Sequence, residues 1–394
     1  MKNGMHRQVL LLATSQALFQ TAAVIVIAIG GLAGAMVASS PALATLPIAS
    51  SYLGTAAAMF PASLWMARVG RKNGFILGAI IGAAGGLACA LGMWLQSLAV
   101  LTFGTFLMGV YQAFVQYYRF AASEVATDEY RPRAISLVMA GGVIAAVAGP
   151  ALARLGSELW MPMYTGSFLL MALLSLVAVG VLGKLDVPNL VAALDRRGRG
   201  RPFHLVALQP KYLVSVLAGV TAYGVMAISM AATPLAMVHV HHSLNAAATV
   251  IQLHVLGMFA PSFITGRLIS RFGALNVMLL GTVFFTCSVL LAAVSQDYWA
   301  FAVALLSLGI GWNFLYIGGT SLLTATYRPE ERAKAQAAND MLIFAVGLVS
   351  AFGSGALLDA LGWEVMNLIL LPWIVFAAGC FISLQLKLGR QAQG

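Results

Sequence analysis

Residues 8–67 read QVLLLATSQALFQTAAVIVIAIGGLAGAMVASSPALATLPIASSYLGTAAAMFPASLWMA, and this stretch contains no Asp, Glu, Lys or Arg. A second stretch without these residues runs from residue 73 to residue 118. The hydrocarbon core of a bilayer is about 30 Å thick, and an α-helix rising about 1.5 Å per residue crosses it with roughly 20 residues. Each stretch is therefore long enough for two membrane-spanning helices.

The composition of the whole chain also indicates a membrane protein. Hydrophobic residues make up 61% of the 394 positions and charged residues only 9%, whereas soluble globular chains carry about 25% charged residues. Backbone groups in lipid must bond internally, which leaves α-helices and closed β-barrels. Barrel strands alternate polar and apolar residues, and these runs do not. The predicted fold class is an all-α membrane protein.

Apolar runs separated by breakers predict twelve transmembrane helices in two six-helix, pseudo-symmetric halves. The longest polar stretch, residues 184–209, includes Asp195-Arg196-Arg197-Gly198-Arg199 and is too polar for lipid. We therefore predict an N-terminal half (1–183), a cytoplasmic basic linker (184–209) and a C-terminal half (210–394). The predicted spans are residues 8–34, 43–67, 74–95, 98–121, 134–156, 161–183, 210–237, 245–269, 275–295, 299–324, 336–360 and 365–386.

The net charge of +10 is explained by topology and does not require a nucleic-acid partner. Basic residues collect on the cytoplasmic side of membrane proteins. With the N-terminus in the cytoplasm, every Lys and Arg except Arg154 falls in a cytoplasmic segment. We predict a multi-pass protein with both termini cytoplasmic. Met1 to Arg7 lead directly into the first span, so no removable signal peptide is expected.

The two halves contain matching loops. Tyr130-Arg131-Pro132-Arg133 lies between spans 4 and 5, and Tyr327-Arg328-Pro329 lies between spans 10 and 11, half the chain length later. Two six-helix halves joined by a linker are the layout of an alternating-access transporter, whose substrate site lies near the bilayer midplane. No phosphate-binding loop and no Ser/His/Asp set lies in a soluble segment, so we expect neither an enzyme nor a resident cofactor.

Acidic residues are scarce inside the predicted spans. All twelve lie in loops or close to the end of a span, which argues against a proton antiporter with a carboxylate at the midplane. Glu124 and Asp340, near the cytoplasmic mouth, are candidate proton carriers, and pairing with loop arginines is the alternative.

Spans 7 and 8 carry two pairs of candidate copper ligands. Met226 and Met230 are four residues apart in span 7, as are His254 and Met258 in span 8, so each pair lies on one helix face. Counting from the outer ends places Met230 level with His254 and Met226 level with Met258. Thioethers select Cu(I), and imidazole also suits copper. The alternative is that the methionines fill packing space and the histidine makes a hydrogen bond in the pore.

Two further groups of polar residues are candidate transport residues. Copper could first be captured by the outer loop between spans 7 and 8, through Met237, His239, His241 and His242. A polar cavity or gate is predicted from Gln16, Gln20, Gln112, Gln116, Arg119, Asn313 and Tyr316. With Tyr111 and Trp312 these residues would form a path for an organic solute. The alternatives are interhelical hydrogen bonds and, for Arg119, either a gate with Glu124 or snorkelling to the headgroups.

Loop motifs identify a known superfamily. The chain resembles the major facilitator superfamily over nearly its whole length, with Ser63 and Ala67 at the signature positions usually held by glycine and aspartate. In the second half Ser270 takes the acidic position. The matching signature residues are Arg68, Gly70, Arg71 and Lys72 in loop 2–3, and Gly266, Arg271 and Gly273 in the second half.

A narrower resemblance concerns spans 7 and 8. The stretch from Met226-x-x-x-Met230 to Pro234-Leu235-Ala236-Met237, with His254-x-x-x-Met258 and Pro261-Ser262-Phe263, resembles the CcoA-like copper importers. The resemblance implies that Met226, Met230, His254 and Met258 bind copper. It also implies import of a copper ion or small copper complex across the bacterial inner membrane, for assembly of cbb3-type cytochrome oxidase. Related branches without metal ligands are similar to riboflavin-type importers, so a riboflavin-like or drug-like solute is the alternative.

Overall fold

The computed structural model describes residues 2–40, 43–187 and 200–393, and within these ranges it contains helices and no strand. In the first part of the chain the helices are α1 (Lys2–Val37), α2 (Leu46–Val69), α3 (Arg71–Trp94), α4 (Leu98–Val115), α5 (Tyr118–Val125), α6 (Arg131–Ala140), α7 (Gly142–Ser157) and α8 (Thr165–Gly183). In the second part they are α9 (Phe203–Ala207), α10 (Pro210–His239), α11 (Leu244–Phe259), α12 (Ser262–Phe272), α13 (Ala274–Val294), α14 (Tyr298–Leu323), α15 (Arg332–Leu368) and α16 (Leu371–Gln393).

Helices occur at all twelve predicted span positions. Among the described residues, ten segments are long and apolar enough to cross a membrane. The last of them, Arg332–Gln391, covers both of the final predicted spans. Helix α2 coincides with predicted span 2, although it is not among the ten. The all-α fold class is therefore confirmed.

Span 8 is divided into α11 and α12 at Ala260 and Pro261. Proline has no N–H to donate and its ring crowds the preceding turn, so a helix kinks or ends there. The Pro261 carbonyl accepts a hydrogen bond from the Thr265 hydroxyl at 2.8 Å. The sequence prediction of one continuous helix over 245–269 is corrected here to two helices.

The helix α15 is interrupted at Gly362, whose φ of 70° and ψ of 170° are not helical. A positive φ is strained for residues with a Cβ, so glycine is the residue suited to this position. The break separates spans 11 and 12 slightly before the predicted start of span 12.

The chain forms two compact units. Unit 1 comprises Met1–Thr127 and Leu137–Arg199, and unit 2 comprises Asp128–Ser136 and Gly200–Gly394. In unit 1, α4 packs closely against α2 and α3, and α1 packs against α7 and α8. A Cβ at Gly109 of α4 would lie 1.9 Å from the Ser51 carbonyl oxygen, so this close helix contact requires glycine.

In unit 2 the corresponding spans pack against each other as they do in unit 1. Its helix α14 packs against α10, α11 and α13, and α10 packs extensively against α15. Contacts between α10 and α11 are much fewer. The two helices that carry the predicted copper ligands are therefore each packed mainly on other neighbours.

The segment Asp128–Ser136 belongs to unit 2 and contacts α12. The Ser136 hydroxyl donates to the Ser262 carbonyl and accepts the Gly266 N–H at 3.0 Å. A Cβ at Gly266 would lie 2.6 Å from the Arg133 Cα. The signature glycine of the second half is therefore required by a backbone contact.

The end of the predicted linker is fixed to the loop before α15. Arg201 binds both carboxylate oxygens of Glu331, with Nε–Oε1 at 2.8 Å and Nη2–Oε2 at 2.7 Å. Arg201 Nη2 also donates to the Thr326 carbonyl at 3.1 Å. Residues 188–199 of the linker, including Asp195 to Arg199, lie outside the described residues.

Candidate functional site

Five aromatic side chains of unit 2 form a cluster, here called the aromatic cluster. Trp312 and Tyr316 of α14 are stacked, with ring centroids 4.7 Å apart. Tyr223 of α10 meets both rings at 5.5 and 5.3 Å. Phe259 contacts Trp312 at 6.0 Å, and Phe344 contacts Tyr223 at 5.1 Å. The cluster joins α10, α11, α14 and α15.

The members of the aromatic cluster differ in exposure. Trp312 and Tyr316 are each 1% exposed, while Tyr223 is partly exposed. The Trp312 indole N–H is buried and has no hydrogen-bond partner among the described residues. Buried indole N–H groups normally find a partner. The cluster is therefore a largely buried set of aromatic rings that includes one donor without a partner among the described residues.

Asn313 connects α14 to the break in span 8. Its Oδ1 accepts from the Thr265 hydroxyl at 2.6 Å, and its Nδ2 donates to the Met258 carbonyl and to Ser262 Oγ, both at 2.6 Å. The side chain is fully buried. Both atoms of the amide are thus used in bonds between helices, which favours the interhelical hydrogen-bonding interpretation over a solute-lining role.

His254 is fully buried in α11 and turned toward α14. Its Nδ1 donates to the Leu305 carbonyl at 2.9 Å, which leaves Nε2 as the acceptor nitrogen of the neutral ring. Nε2 has no hydrogen-bond partner among the described residues. The histidine therefore presents one free lone pair inside unit 2.

Close packing fixes the depth of His254. A Cβ at Gly309 of α14 would lie 2.4 Å from the His254 carbonyl oxygen and 2.7 Å from the Met258 amide nitrogen. The backbones of α11 and α14 therefore touch at the turn that carries both residues. This contact, rather than one with span 7, orients the predicted span-8 ligands.

The methionines differ in burial. Met226 is 8% exposed, and Met230 and Met258 are partly exposed. Helix α10, which carries Met226 and Met230, packs mainly against α14 and α15 and makes few contacts with α11, which carries His254. The four-ligand copper site remains a prediction.

The predicted capture residues do not all lie in a loop. Helix α10 continues to His239, so Met237 is part of the helix and is fully buried. His239 and His241 are exposed. His242 Nε2 bonds to the Gln296 carbonyl at 2.9 Å, and its ring meets the edge of Phe301 at 5.9 Å.

In unit 1, two of the predicted glutamines line a small cavity. The cavity has a volume of about 70 Å³ and is bordered by Gln20, Gln112 and Phe19. Gln112 Oε1 accepts from the Thr55 hydroxyl at 3.2 Å. Gln16 is buried, and Gln116 follows the last residue of α4. The edge of Phe19 also packs on Tyr111, at 4.8 Å.

The end of unit 1 that is predicted to face the cytoplasm contains an ion pair, and it is one of the pairings with a loop arginine that the sequence offered for Glu124. Arg71 Nη2 lies 2.8 Å from Glu124 Oε1, and both side chains are largely buried. The Arg71 guanidinium also lies 5.3 Å from the Tyr117 ring centroid. The predicted gate residue Arg119 is 2% exposed and lies over the Phe120 ring at 4.6 Å. Glu124 is therefore held by Arg71.

The sequence analysis missed Tyr223 and named Asp340 only as a residue near the cytoplasmic mouth. Tyr223 lies one turn before Met226, and a polar-tipped aromatic residue in an apolar span is a signal that the sequence contains. Asp340 was placed near a helix end, but α15 begins at Arg332 and buries Asp340 completely. Its Oδ1 accepts from Asn339 Nδ2 at 2.8 Å.

Comparison with known proteins identifies the family. The chain matches the family model described as Major Facilitator Superfamily over residues 9–219 and 214–390. The riboflavin transporter RfnT of Brucella anthropi is 41% identical over 392 residues, which is 99% of this chain and 97% of that protein. The uncharacterized MFS-type transporter YdeG of Bacillus subtilis is 28% identical over 377 residues, covering 90% of this chain and 87% of that one.

Solved structures share the fold. The human organic anion transporter MFSD10 (TETRAN) superposes with a TM-score of 0.76 at 14% identity, covering 96% of this chain and 99% of that one. A bacterial homologue of the iron transporter ferroportin gives a TM-score of 0.71 at 14% identity, covering 95% and 98%. The family match and the full-length relative establish that this chain belongs to the Major Facilitator Superfamily of transporters.

Proposed function

We propose that the chain is an alternating-access transporter of a riboflavin-like organic solute in the bacterial inner membrane. The observation that carries this proposal is the identity of 41% with a riboflavin transporter over 99% of the chain. The sequence leaves two possible cargoes, copper and an organic solute. The similarity to a riboflavin transporter favours the organic solute.

The aromatic cluster supports a flavin-like cargo. The ring system of a flavin is planar and aromatic, and such rings gain about 0.5–1.5 kcal/mol from offset or edge contacts with other aromatic rings, beyond area burial. Tyr223 is partly exposed and forms the accessible side of the cluster. The Trp312 N–H is a donor without a partner in the part of the chain that the structure describes, and it is suited to a carbonyl of the ring system.

Uptake of labelled riboflavin tests the proposal directly. The chain would be expressed in a bacterial strain that can neither synthesise nor import riboflavin. Uptake and growth on low riboflavin are expected with the chain and not with the empty vector. Normal expression in the membrane without any uptake would overturn the proposal.

Variants of Tyr223 test the role of the aromatic cluster. Tyr223→Ala removes the ring that contacts Trp312 and Tyr316, so the KM for riboflavin should rise about tenfold, equivalent to 1.4 kcal/mol. Tyr223→Phe, which keeps the ring, is the matched control and should transport nearly as well as the parent. Equal uptake by both variants would mean that the solute does not bind at the aromatic cluster.

Copper remains a second candidate because of one observation. His254 Nε2 carries a buried lone pair that has no partner within the described ranges, and Met258 lies one turn further along the same helix. We propose that, if copper is carried, Met226 and Met230 supply the remaining ligands. Cellular copper, measured by elemental analysis, should rise with the parent chain and not with a Met226→Ile/Met230→Ile variant. Equal copper in both strains excludes this candidate.

A further inference from the structure

Unit 2 contains a second cavity, here called the outer cavity, that no predicted site includes as a whole. Its volume is about 660 Å³, within the range of roughly 300–1,000 Å³ that is usual for small-molecule sites. It lies between the C-terminal end of α10, Gln296 before α14, and the part of α15 around Gly362. The charge distribution predicts that this end of the unit faces away from the cytoplasm.

Two glycines of α15 lie beside the open space of the outer cavity. Gly355 and Gly362 both line it, and a Cβ built on either would have no atom within 4 Å. The break in α15 at Gly362 also interrupts the wall that a continuous helix would form. At these two positions α15 therefore places no side chain in the cavity.

The lining of the outer cavity combines an aromatic wall with hydrogen-bonding groups. Leu235, Leu358 and Trp363 supply the apolar surface, and His239, Gln296 and Asp359 supply the polar groups. Trp363 is 6% exposed, and its indole N–H has no partner among the described residues. Small-molecule sites typically have such a mainly apolar lining with a few placed polar groups.

Gln296 is held in position from two sides. Its Nε2 donates to Glu364 Oε1 at 3.0 Å, and its backbone carbonyl accepts from His242 Nε2 at 2.9 Å. A fixed polar group loses less conformational entropy when a ligand binds. The amide therefore belongs to a pre-organised wall.

The charge of the outer cavity limits the solutes that it can take. Its ten lining residues include no Lys or Arg, and Asp359 contributes a carboxylate. A phosphate group would be repelled by Asp359 and would find no Lys or Arg among the lining residues. A neutral aromatic solute with hydroxyl groups would meet the Trp363 wall and the polar groups without a charge conflict.

We propose that the outer cavity binds a neutral, hydroxylated aromatic solute and rejects its phosphorylated form. This inference rests on the proposed function, since riboflavin is the solute of this class that the chain would carry. The cavity is distinct from the aromatic cluster, because Tyr223 and Leu235 are twelve residues apart on α10, roughly 18 Å along the helix axis.

Protection of an introduced cysteine tests binding at the cavity itself. Gly355→Cys would be placed in a Cys287→Ser/Cys380→Ser background, in which the remaining Cys89 is buried, and purified protein would be alkylated with a maleimide. Riboflavin should slow the labelling of Gly355→Cys at least fivefold, and flavin mononucleotide should not. Gly353→Cys is the matched control, because this glycine is also free of neighbours within 4 Å but does not line the cavity.

The outcomes separate the two proposals. Protection at Gly355→Cys by riboflavin alone supports the inference, whether or not cells take up riboflavin. Uptake by the parent without any protection overturns the inference and leaves the proposed function standing. Protection by both flavins, or equal protection at Gly353→Cys, also overturns it, because the assigned selectivity or location would be wrong.

Discussion

At the scale of single residues, two intramembrane polar side chains of unit 2, Asn313 and His254, form hydrogen bonds between helices. Asn313 makes three side-chain hydrogen bonds around the break at Pro261, and His254 donates to a carbonyl of α14. Backbone carbonyls freed at a helix break need partners in lipid, where water is absent. The same side chains would appear in a sequence as candidate pore-lining groups, because residue type alone does not reveal where an amide points.

Replacing Asn313 should affect stability more than affinity. Asn313→Ala removes three hydrogen bonds, each worth on average about 0.6 kcal/mol in membrane proteins, so a loss of about 2 kcal/mol is expected. The thermal midpoint of unfolding in detergent measures it. Asn276→Ala is the control, since Asn276 is exposed and bonds to Phe272 and Gln385. An unchanged midpoint combined with abolished uptake would instead indicate a solute ligand.

The Arg201–Glu331 pair should make stability depend on acidity. Hydrogen bonds and the charge of Arg201 lower the pKa of Glu331 from 4.5 to about 2. A lowered folded-state pKa stabilises the fold above the unfolded pKa, and this contribution is lost as pH falls from about 4.5 to about 2. The thermal midpoint of the parent should therefore fall in this window.

The matched variant for this pair is Glu331→Gln. It should be less stable at pH 7, by about 1.5–3 kcal/mol for lost charge-assisted hydrogen bonds. Its stability should change less than that of the parent between pH 4.5 and 2. Parallel pH profiles for the two proteins would contradict the assignment of the acid-sensitive group.

At the scale of helices, glycines determine which pairs are in close contact. Gly309 lets α14 touch α11, and Gly266 lets α12 touch the segment Asp128–Ser136. Without a hydrophobic force between helices in lipid, small residues and close packing hold them together. The partners of span 8 are therefore decided by where glycines lie on neighbouring helices.

Gly309→Ala should separate α11 from α14. The new methyl group would meet the backbone of His254 and Met258 at 2.4 and 2.7 Å, and overpacking typically costs about 1–3 kcal/mol. A lower thermal midpoint and reduced uptake are expected. Gly379→Ala, which meets no atom within 4 Å, should not lower the midpoint. Equal midpoints for the two variants would show that the contact is not tight.

At the scale of the whole molecule, the distribution of Lys and Arg predicts the orientation in the membrane, and membership of the superfamily predicts transport activity. Every Lys and Arg except Arg154 falls on one predicted side, and the Major Facilitator Superfamily match covers both halves. Because positive loops are retained in the cytoplasm, the orientation can be tested without knowing the solute.

Reporter fusions test the predicted orientation. A fluorescent protein fused after Gly394 should fluoresce, and alkaline phosphatase fused there should be inactive, because the C-terminus is predicted to be cytoplasmic. Fusion after Trp160, in the loop before α8, should give the opposite results. Active phosphatase at Gly394 would reverse the predicted topology.

The sequence by itself determined the membrane class, the twelve helical positions and the repeated halves. The physical reason is that a bilayer imposes length and apolarity on each span independently of its neighbours. The uncharged residues 8–67 were sufficient to indicate this class. The superfamily followed from a few loop residues such as Gly70 and Arg71, and the family match confirms it.

Only the tertiary structure decided which side chains meet. Depth along spans 7 and 8 suggested a shared copper site, but α11 packs mainly on α14 and turns His254 toward Leu305. Glu124 binds Arg71, and the aromatic cluster gathers residues from four helices. Spans that are apolar on all sides carry little periodic signal for the face they bury. Side-chain partners in such helices are fixed by packing between helices, which the linear order of residues does not specify.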